Sequence, residues 1–194
     1  MTGSLNFARL AHGLAQALLA PGAAAHISAR VQNLAGIIRG PVLDVGCGFA
    51  SPLPLAGIAA IGLDIDERRV RAHAAPAIVG GAARLPFSDA SFAAVFSFGL
   101  LHHLADAEAR SAIDEMLRVA HRDGLIAIFD GVLPQKAWRR PLAAAIRAAD
   151  RGHHMRTEAQ LLGLFDGGSG WHYERVTYAA TGLEALWCVR GKGE

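Results

Sequence analysis

Only two cysteines, Cys47 and Cys188, occur in 194 residues. They are too few for a disulfide framework and lack the paired spacing of a zinc site, so a reducing compartment fits and no metal centre is expected. A strong charge of one sign is also missing. The 19 basic and 17 acidic residues leave a formal net charge of +2, too weak a field to imply a nucleic-acid partner. Long apolar runs are absent as well. The stretch from Leu10 to Ala25 is broken by His12, Gln16 and Pro21 and falls short of the roughly 20 apolar residues that span a bilayer. Its one nearby positive charge, Arg9, makes it a poor secretory signal. A cytoplasmic location without a transmembrane segment is the expectation. There is no internal repeat and no low-complexity tract.

What is present is hydrophobic material, 52% of the chain, enough for one domain with a sizeable core. After residue 41 apolar segments alternate with amphipathic ones, the pattern of an α/β fold with a parallel sheet covered on both faces. Strands are predicted at Val42 to Val45, Ala59 to Asp64, Ala77 to Val79, Phe92 to Phe98 and Leu125 to Asp130. Helices are predicted at Glu67 to His73 and Ala105 to Ala120, the second with Ile113, Met116, Leu117 and Ala120 at core-facing spacing. Asp123-Gly124 reads as the stop that ends it. Residues 1–40 are expected to form an N-terminal helical lid, 41–132 the central core, and 133–168 a second lid with helices near Lys136 to Arg151 and Thr157 to Phe165. Residues 169–194 change period: Trp171 to Ala180 and Leu183 to Arg190, separated by Thr181-Gly182, read as an antiparallel hairpin.

The most informative segment is Val42-Leu-Asp-Val-Gly-Cys-Gly-Phe-Ala-Ser51, a strand running into a glycine turn. Gly46 and Gly48 let backbone approach a ligand closely. Ser51 can cap the short helix that follows, and Pro52 suits its first position. Asp64 ends the next strand, where a carboxylate can accept from ribose hydroxyls. It could instead cap the helix beginning at Glu67, a task open to Asp66.

With Leu-Asp-Val-Gly-Cys-Gly at 43–48, Gly-Leu-Asp-Ile-Asp at 62–66, Ala-Arg-Leu-Pro-Phe-Ser-Asp-Ala-Ser-Phe at 83–92, Leu-His-His-Leu at 101–104 and Arg-Val at 118–119, the sequence resembles the class I S-adenosylmethionine-dependent methyltransferases. The likeness is to the small-molecule branch typified by ubiquinone and menaquinone biosynthesis. The resemblance implies a doubly wound Rossmann-like methyltransferase sheet, S-adenosyl-L-methionine as cofactor and a small-molecule acceptor methylated on oxygen or carbon rather than nitrogen. It also implies that Gly46, Cys47 and Gly48 pack along the methionine and ribose, with Asp44 contacting the amino acid end and Asp64 holding the ribose hydroxyls. Ile65 would cover the adenine face, backbone at Ala82 and Ala83 would meet its edge, and Phe98 would lie near the sulfonium.

The sequence departs from the family pattern at Gly81, where an aspartate usually accepts from the adenine amino group. It departs again at Ala50, Ala93 and Arg122-Asp123-Gly124, and in a shortened link from the glycine turn to Asp64. These departures leave a second reading open, a cofactor-binding but catalytically degenerate partner subunit. A nicotinamide-dependent dehydrogenase shares the ribose-binding acid but leaves Leu85-Pro86-Phe87 without a role.

Methyl transfer is an in-line displacement that needs positioning more than catalytic groups. A hydroxyl acceptor must also lose a proton, which makes His102 and His103, after the fourth strand, and His154, in the second lid, candidate bases. Against this, one of the paired histidines can bond to backbone at a helix start. His153 and His154, flanked by Arg151, Gly152 and Arg156, can form a solvated loop. The second lid concentrates Lys136, Arg139, Arg140, Arg147, Arg151 and Arg156 around Trp138, Leu142, Ile146 and Ala149. Ordinary packing with a solvated basic face, an acidic acceptor, an acidic carrier protein and an anionic membrane surface are all compatible with it.

Overall fold

A computed structural model describes residues 23–148, 152–165 and 170–191. The elements, in chain order, are α1 (Ala23–Ala35), β1 (Val42–Val45), a 3-10 turn (Leu53–Ala56), β2 (Ile61–Asp64), α2 (Glu67–Ala72), β3 (Ala77–Val79) and β4 (Phe92–Phe98). They continue with a second 3-10 turn (Leu101–His103), α3 (Asp106–Val119), β5 (Ala120–Val132), a third 3-10 turn (Ala137–Arg139), α4 (Pro141–Ala148), α5 (Glu158–Leu162), β6 (Trp171–Thr177) and β7 (Glu184–Arg190). The part of the expected N-terminal lid that falls on residues 1–22 lies outside the described residues.

The seven strands form one sheet in the order β3-β2-β1-β4-β5-β7-β6. The first five pair in parallel and β7 runs antiparallel to both β5 and β6. The connections explain this: helices and long crossovers join β1 through β5, whereas a tight turn closed by Gly182 N–H donating to the Tyr178 carbonyl joins β6 to β7. Strand pleating sends alternate side chains to two cores. Leu43, Val45, Val95, Ile126 and Ile128 meet α3 and α5 on one face, while Val42, Ala94, Phe96, Ala127 and Phe129 meet α1, the first 3-10 turn and α4 on the other. Burying each such large side chain contributes roughly 1.5–3 kcal/mol, and this fastens the helices to both faces.

α3 forms where its period predicts, with Ala109, Ala112, Ile113, Met116 and Val119 buried. It does not run to Asp123-Gly124, however. The helix ends at Val119 and the chain enters β5 directly at Ala120. The ladder pairs Phe92 with Ala120 and then Ala94 with Leu125, so His121 to Gly124 loop out of register. The turn chemistry was real, but it produces a bulge within a strand. The second strand is shorter than expected at its start, Ile61 against Ala59. In the second lid, one expected long helix resolves into the third 3-10 turn and α4, divided at Pro141.

Candidate active site

The glycine turn closes the C-terminal end of β1. Gly46 and Gly48 both adopt left-handed conformations, with φ of +76° and +58°, which favour glycine. The amides of Gly46 and Cys47 donate to the Leu63 carbonyl, and that of Gly48 donates to Asp64 Oδ2 at 3.0 Å. Cys47 is buried with its sulfur against Gly62, where a Cβ would come within 2.7 Å. Burial pushes its thiol up to about 12, so position 47 offers backbone to a ligand and no reactive sulfur. Only the four-residue 3-10 turn follows before β2, the structural form of the shortened link.

Asp44 lies under this turn, 1% exposed, and neither of its carboxyl oxygens has a hydrogen-bond partner. It borders a cavity of about 10 Å³ shared with Ser51, Pro54, Ala60, Gly62 and His73. Burial raises its carboxyl to about 7; the neighbouring Ser51 hydroxyl relieves this in part and Asp64 adds to it. A group carrying positive charge and N–H donors is what this carboxyl lacks, and the amino acid end of S-adenosylmethionine has both.

Asp64 is also buried, at 4% exposure, but its oxygens are engaged. Oδ1 accepts from Asp66 N–H at 2.9 Å, and Arg69 lies 3.7 Å from Oδ2. Asp66 caps α2 by accepting from Arg68 N–H, so the cap that the sequence left open between the two acids falls to Asp66. Ile65 beside them is 78% exposed. At Gly81 a Cβ would meet nothing within 4 Å; Ala82 is half-buried and Ala83 exposed. The adjoining Leu85-Pro86-Phe87 is pinned by α3. Glu115 accepts from Leu85 N–H at 2.7 Å, and Arg118 donates to the Leu85 and Phe87 carbonyls at 3.1 and 2.9 Å. Arg118 and its motif neighbours are therefore a brace for the loop after β3.

Phe98 is the last residue of β4. Its ring stacks with Phe96 and Trp187, at centroid distances of 5.9 and 6.5 Å. Leu100 is the side chain that meets the glycine turn, where a Cβ on Gly46 would lie 3.0 Å from its Cδ1. Two residues on, His102 Nδ1 lies 2.6 Å from Asp130 Oδ1, and Leu101 N–H donates to Asp130 Oδ2 at 2.5 Å. Asp130, near the end of β5, is 1% exposed. An imidazole held through Nδ1 by a buried carboxylate presents Nε2 as its basic atom. The histidine turn and the glycine turn thus meet at Leu100. His103 is exposed, with its ring 4.1 Å from that of His102. His154 is exposed too and joins the group through its backbone, N–H donating to the His102 carbonyl at 3.1 Å.

Two residues of this site escaped the sequence reading. Asp130 was visible only as a strand end, since nothing local ties it to a histidine 28 positions earlier. Arg156, expected in a solvated loop, is 4% exposed. It donates to the Leu101 and Leu104 carbonyls, both at 2.7 Å, and to Asp106 at 2.7 Å, which fixes the turn carrying His102. A basic residue between two polar loops gives no signal of burial until its carbonyl partners are known. Beside this turn is a cavity of about 580 Å³ lined by Leu133, Pro134, Ala144, Arg147, Gly152 and Met155 among others, within the size range of small-molecule sites. Gly152 joins it to the histidine: a Cβ there would come within 2.2 Å of the His102 ring.

Residues 43–128 match the family described as a methyltransferase domain. A curated relative, probable tRNA methyltransferase 9B from Mus musculus, is 30% identical over 132 residues, 58% of this chain and 30% of the relative. The chain therefore spans less than a third of that protein's length. Among solved structures, the YcgJ protein from Bacillus subtilis superposes with a TM-score of 0.62 at 18% identity, over 87% of this chain and all of that one. Geranyl diphosphate C-methyltransferase from Streptomyces coelicolor A3(2), solved with Mg2+, geranyl diphosphate and S-adenosyl-L-homocysteine, gives 0.62 at 11% identity, over 86% and 80% of the two chains. The 4+2 cyclase SpnF gives 0.65 at 19%, over 86% and 80%.

Proposed function

We propose that this chain, whose residues 43–128 match a methyltransferase domain, is a class I S-adenosylmethionine-dependent methyltransferase that transfers a methyl group to an oxygen or carbon of a small molecule, with His102 as the base that takes up the acceptor's proton. The observation that carries the reading is the His102–Asp130 pair, 2.6 Å apart and next to the residue that packs on the glycine turn. A fold shared with a 4+2 cyclase does not by itself specify a reaction, so the base matters to the argument. The cofactor supplies an electrophilic methyl on a positively charged sulfur. Asp44 would hold its ammonium end, Asp64 its ribose hydroxyls and Ile65 one face of its adenine, while backbone at Gly46, Gly48, Ala82 and Ala83 lines the remainder. Asp130 keeps the His102 proton on Nδ1, and Arg156 holds the turn so that Nε2 stays directed at the acceptor. His103 and His154 adjoin His102, the first by its ring and the second through its backbone. The cavity beyond Gly152, mostly apolar with one arginine, suits an acceptor with a hydrocarbon body.

Calorimetric titration with S-adenosylmethionine is expected to show one site. Asp64→Ala should weaken it about tenfold to a hundredfold, because two ribose hydroxyls lose a charged partner worth roughly 1.5–3 kcal/mol. Unchanged affinity in that variant would remove the assignment, and binding with no turnover on any acceptor would favour the degenerate partner subunit. Mass spectrometry of host metabolites with and without the gene, searching for a gain of one methylene, identifies the acceptor. Bulk tRNA belongs in the same assay because of the murine relative, although a formal charge of +2 argues for a small molecule.

A further inference from the structure

The segment that follows β5 presents a surface that the transfer chemistry does not use. From Leu133 to Ala148 there is no acidic residue, whereas Lys136, Arg139, Arg140 and Arg147 are basic. Two of these cations turn inward. Arg140 pairs with the buried Glu184 carboxylate, and Arg147 donates to the Glu184 carbonyl. The other two, Lys136 and Arg139, are exposed. Between and beside them stand two large apolar side chains in water, Trp138 at 75% exposure and Leu142 at 56%. The Arg139 guanidinium lies over the Trp138 ring, 4.5 Å from its centroid. Ala143, the next residue along α4, is fully buried, so the segment is anchored to the core while Trp138 and Leu142 face out.

We propose that the outward side of residues 136–142 docks on an anionic membrane surface. In that arrangement Trp138 and Leu142 enter the boundary between headgroups and acyl chains, and Lys136 and Arg139 meet lipid phosphates. The chemistry suits each part: an indole favours the interfacial layer, a guanidinium stacked on it can still pair with phosphate, and a segment without carboxylates meets no repulsion there. An acidic protein would reward the two cations but gives an exposed tryptophan no apolar medium to enter. Pro134, Ala137 and Ala144 belong both to this segment and to the lining of the 580 Å³ cavity. On the methyl-transfer reading above, docking therefore brings the cavity to the bilayer, and the acceptor class becomes a lipid-soluble compound taken from the membrane.

The test is flotation of the full chain with vesicles of phosphatidylcholine alone and of phosphatidylcholine mixed with phosphatidylglycerol, over a range of salt. Binding is expected only to the anionic vesicles and should fall as salt rises. Lys136→Ala and Arg139→Ala should each weaken it about fivefold, and Trp138→Ala about tenfold. Thermal melting should be unchanged in all three, since these side chains are exposed. Brominated lipid should quench wild-type fluorescence and leave that of Trp138→Phe unquenched. No vesicle binding, or binding undiminished in Trp138→Ala, would overturn the proposal. So would equal affinity for soluble polyglutamate, which reassigns the surface to an acidic protein, or a solution dimer lost in Trp138→Ala, which reassigns it to a second copy. Titration with S-adenosylmethionine keeps the two readings apart, because the docking variants should retain full cofactor affinity even where vesicle binding is lost.

Discussion

Asp44 and Asp130 are each 1% exposed at the C-terminal ends of parallel strands, on opposite faces of one sheet, and they have contrary surroundings. Asp130 uses both oxygens within the fold, one on His102 and one on the Leu101 amide. Asp44 has no hydrogen-bond partner for either. A buried polar group left unsatisfied costs roughly 1–3 kcal/mol, so the β1 end carries a penalty that the β5 end does not. The difference separates a carboxylate that holds another side chain from one that the proposed reading assigns to the cofactor.

The strongest challenge to this contrast is to remove the pair at the β5 end. Asp130→Asn keeps the shape but can present its amide to Nδ1 and favour the wrong tautomer, and His102→Ala removes the proposed base. Each is expected to lower turnover about a hundredfold or more while S-adenosylmethionine affinity stays within about twofold. Full turnover in Asp130→Asn would show that this carboxylate is structural only.

A smaller effect is expected at β1, where the carboxyl of Asp44 sits near 7 in the fold against an ordinary 3.8. An acid raised by folding stabilises the protein fully below its ordinary value and loses that contribution as pH rises to the folded one. Melting temperature should therefore fall from pH 5 to pH 8 in the wild type and stay level in Asp44→Asn. That variant should be more stable at pH 8 by about 1–3 kcal/mol and bind the cationic cofactor more weakly. A wild-type melting curve flat across that window would equate the two carboxylates and end the comparison.

The mildest change sharpens it. Gly81 has open space where a Cβ would stand and a backbone outside the left-handed region, so Gly81→Asp should be tolerated. By restoring an acceptor for the adenine amino group, it is expected to tighten S-adenosylmethionine up to about tenfold, as read by the same titration. A loss of affinity would place the adenine elsewhere.

The same two strand ends show how far the sequence was legible. The β1 end could be read because its parts are consecutive: strand and glycine turn lie within ten residues, and the acid of β2 follows at the next strand end, although the 3-10 turn is capped at Pro52 and not, as expected, at Ser51. The parallel order and the final hairpin were legible for a related reason, since connection length decides strand direction. The β5 end assembles His102, Asp130, Gly152 and Arg156 from four separate segments, and only the histidine advertised chemistry. Phe98 ends β4, and the alternation along that strand sets its ring beside those of Phe96 and Trp187.

β5 is bonded along both edges, to β4 on one side and β7 on the other, and the family match ends inside it at residue 128. Anyone trimming this chain to the matched segment for expression or gene fusion would cut through the middle of the sheet. The fragment would keep Ile126 and Ile128 on a strand stripped of its β7 partner, the sort of unpaired apolar edge that recruits other chains. Residues 170–191 are thus part of the smallest piece worth producing, although the family match stops short of them.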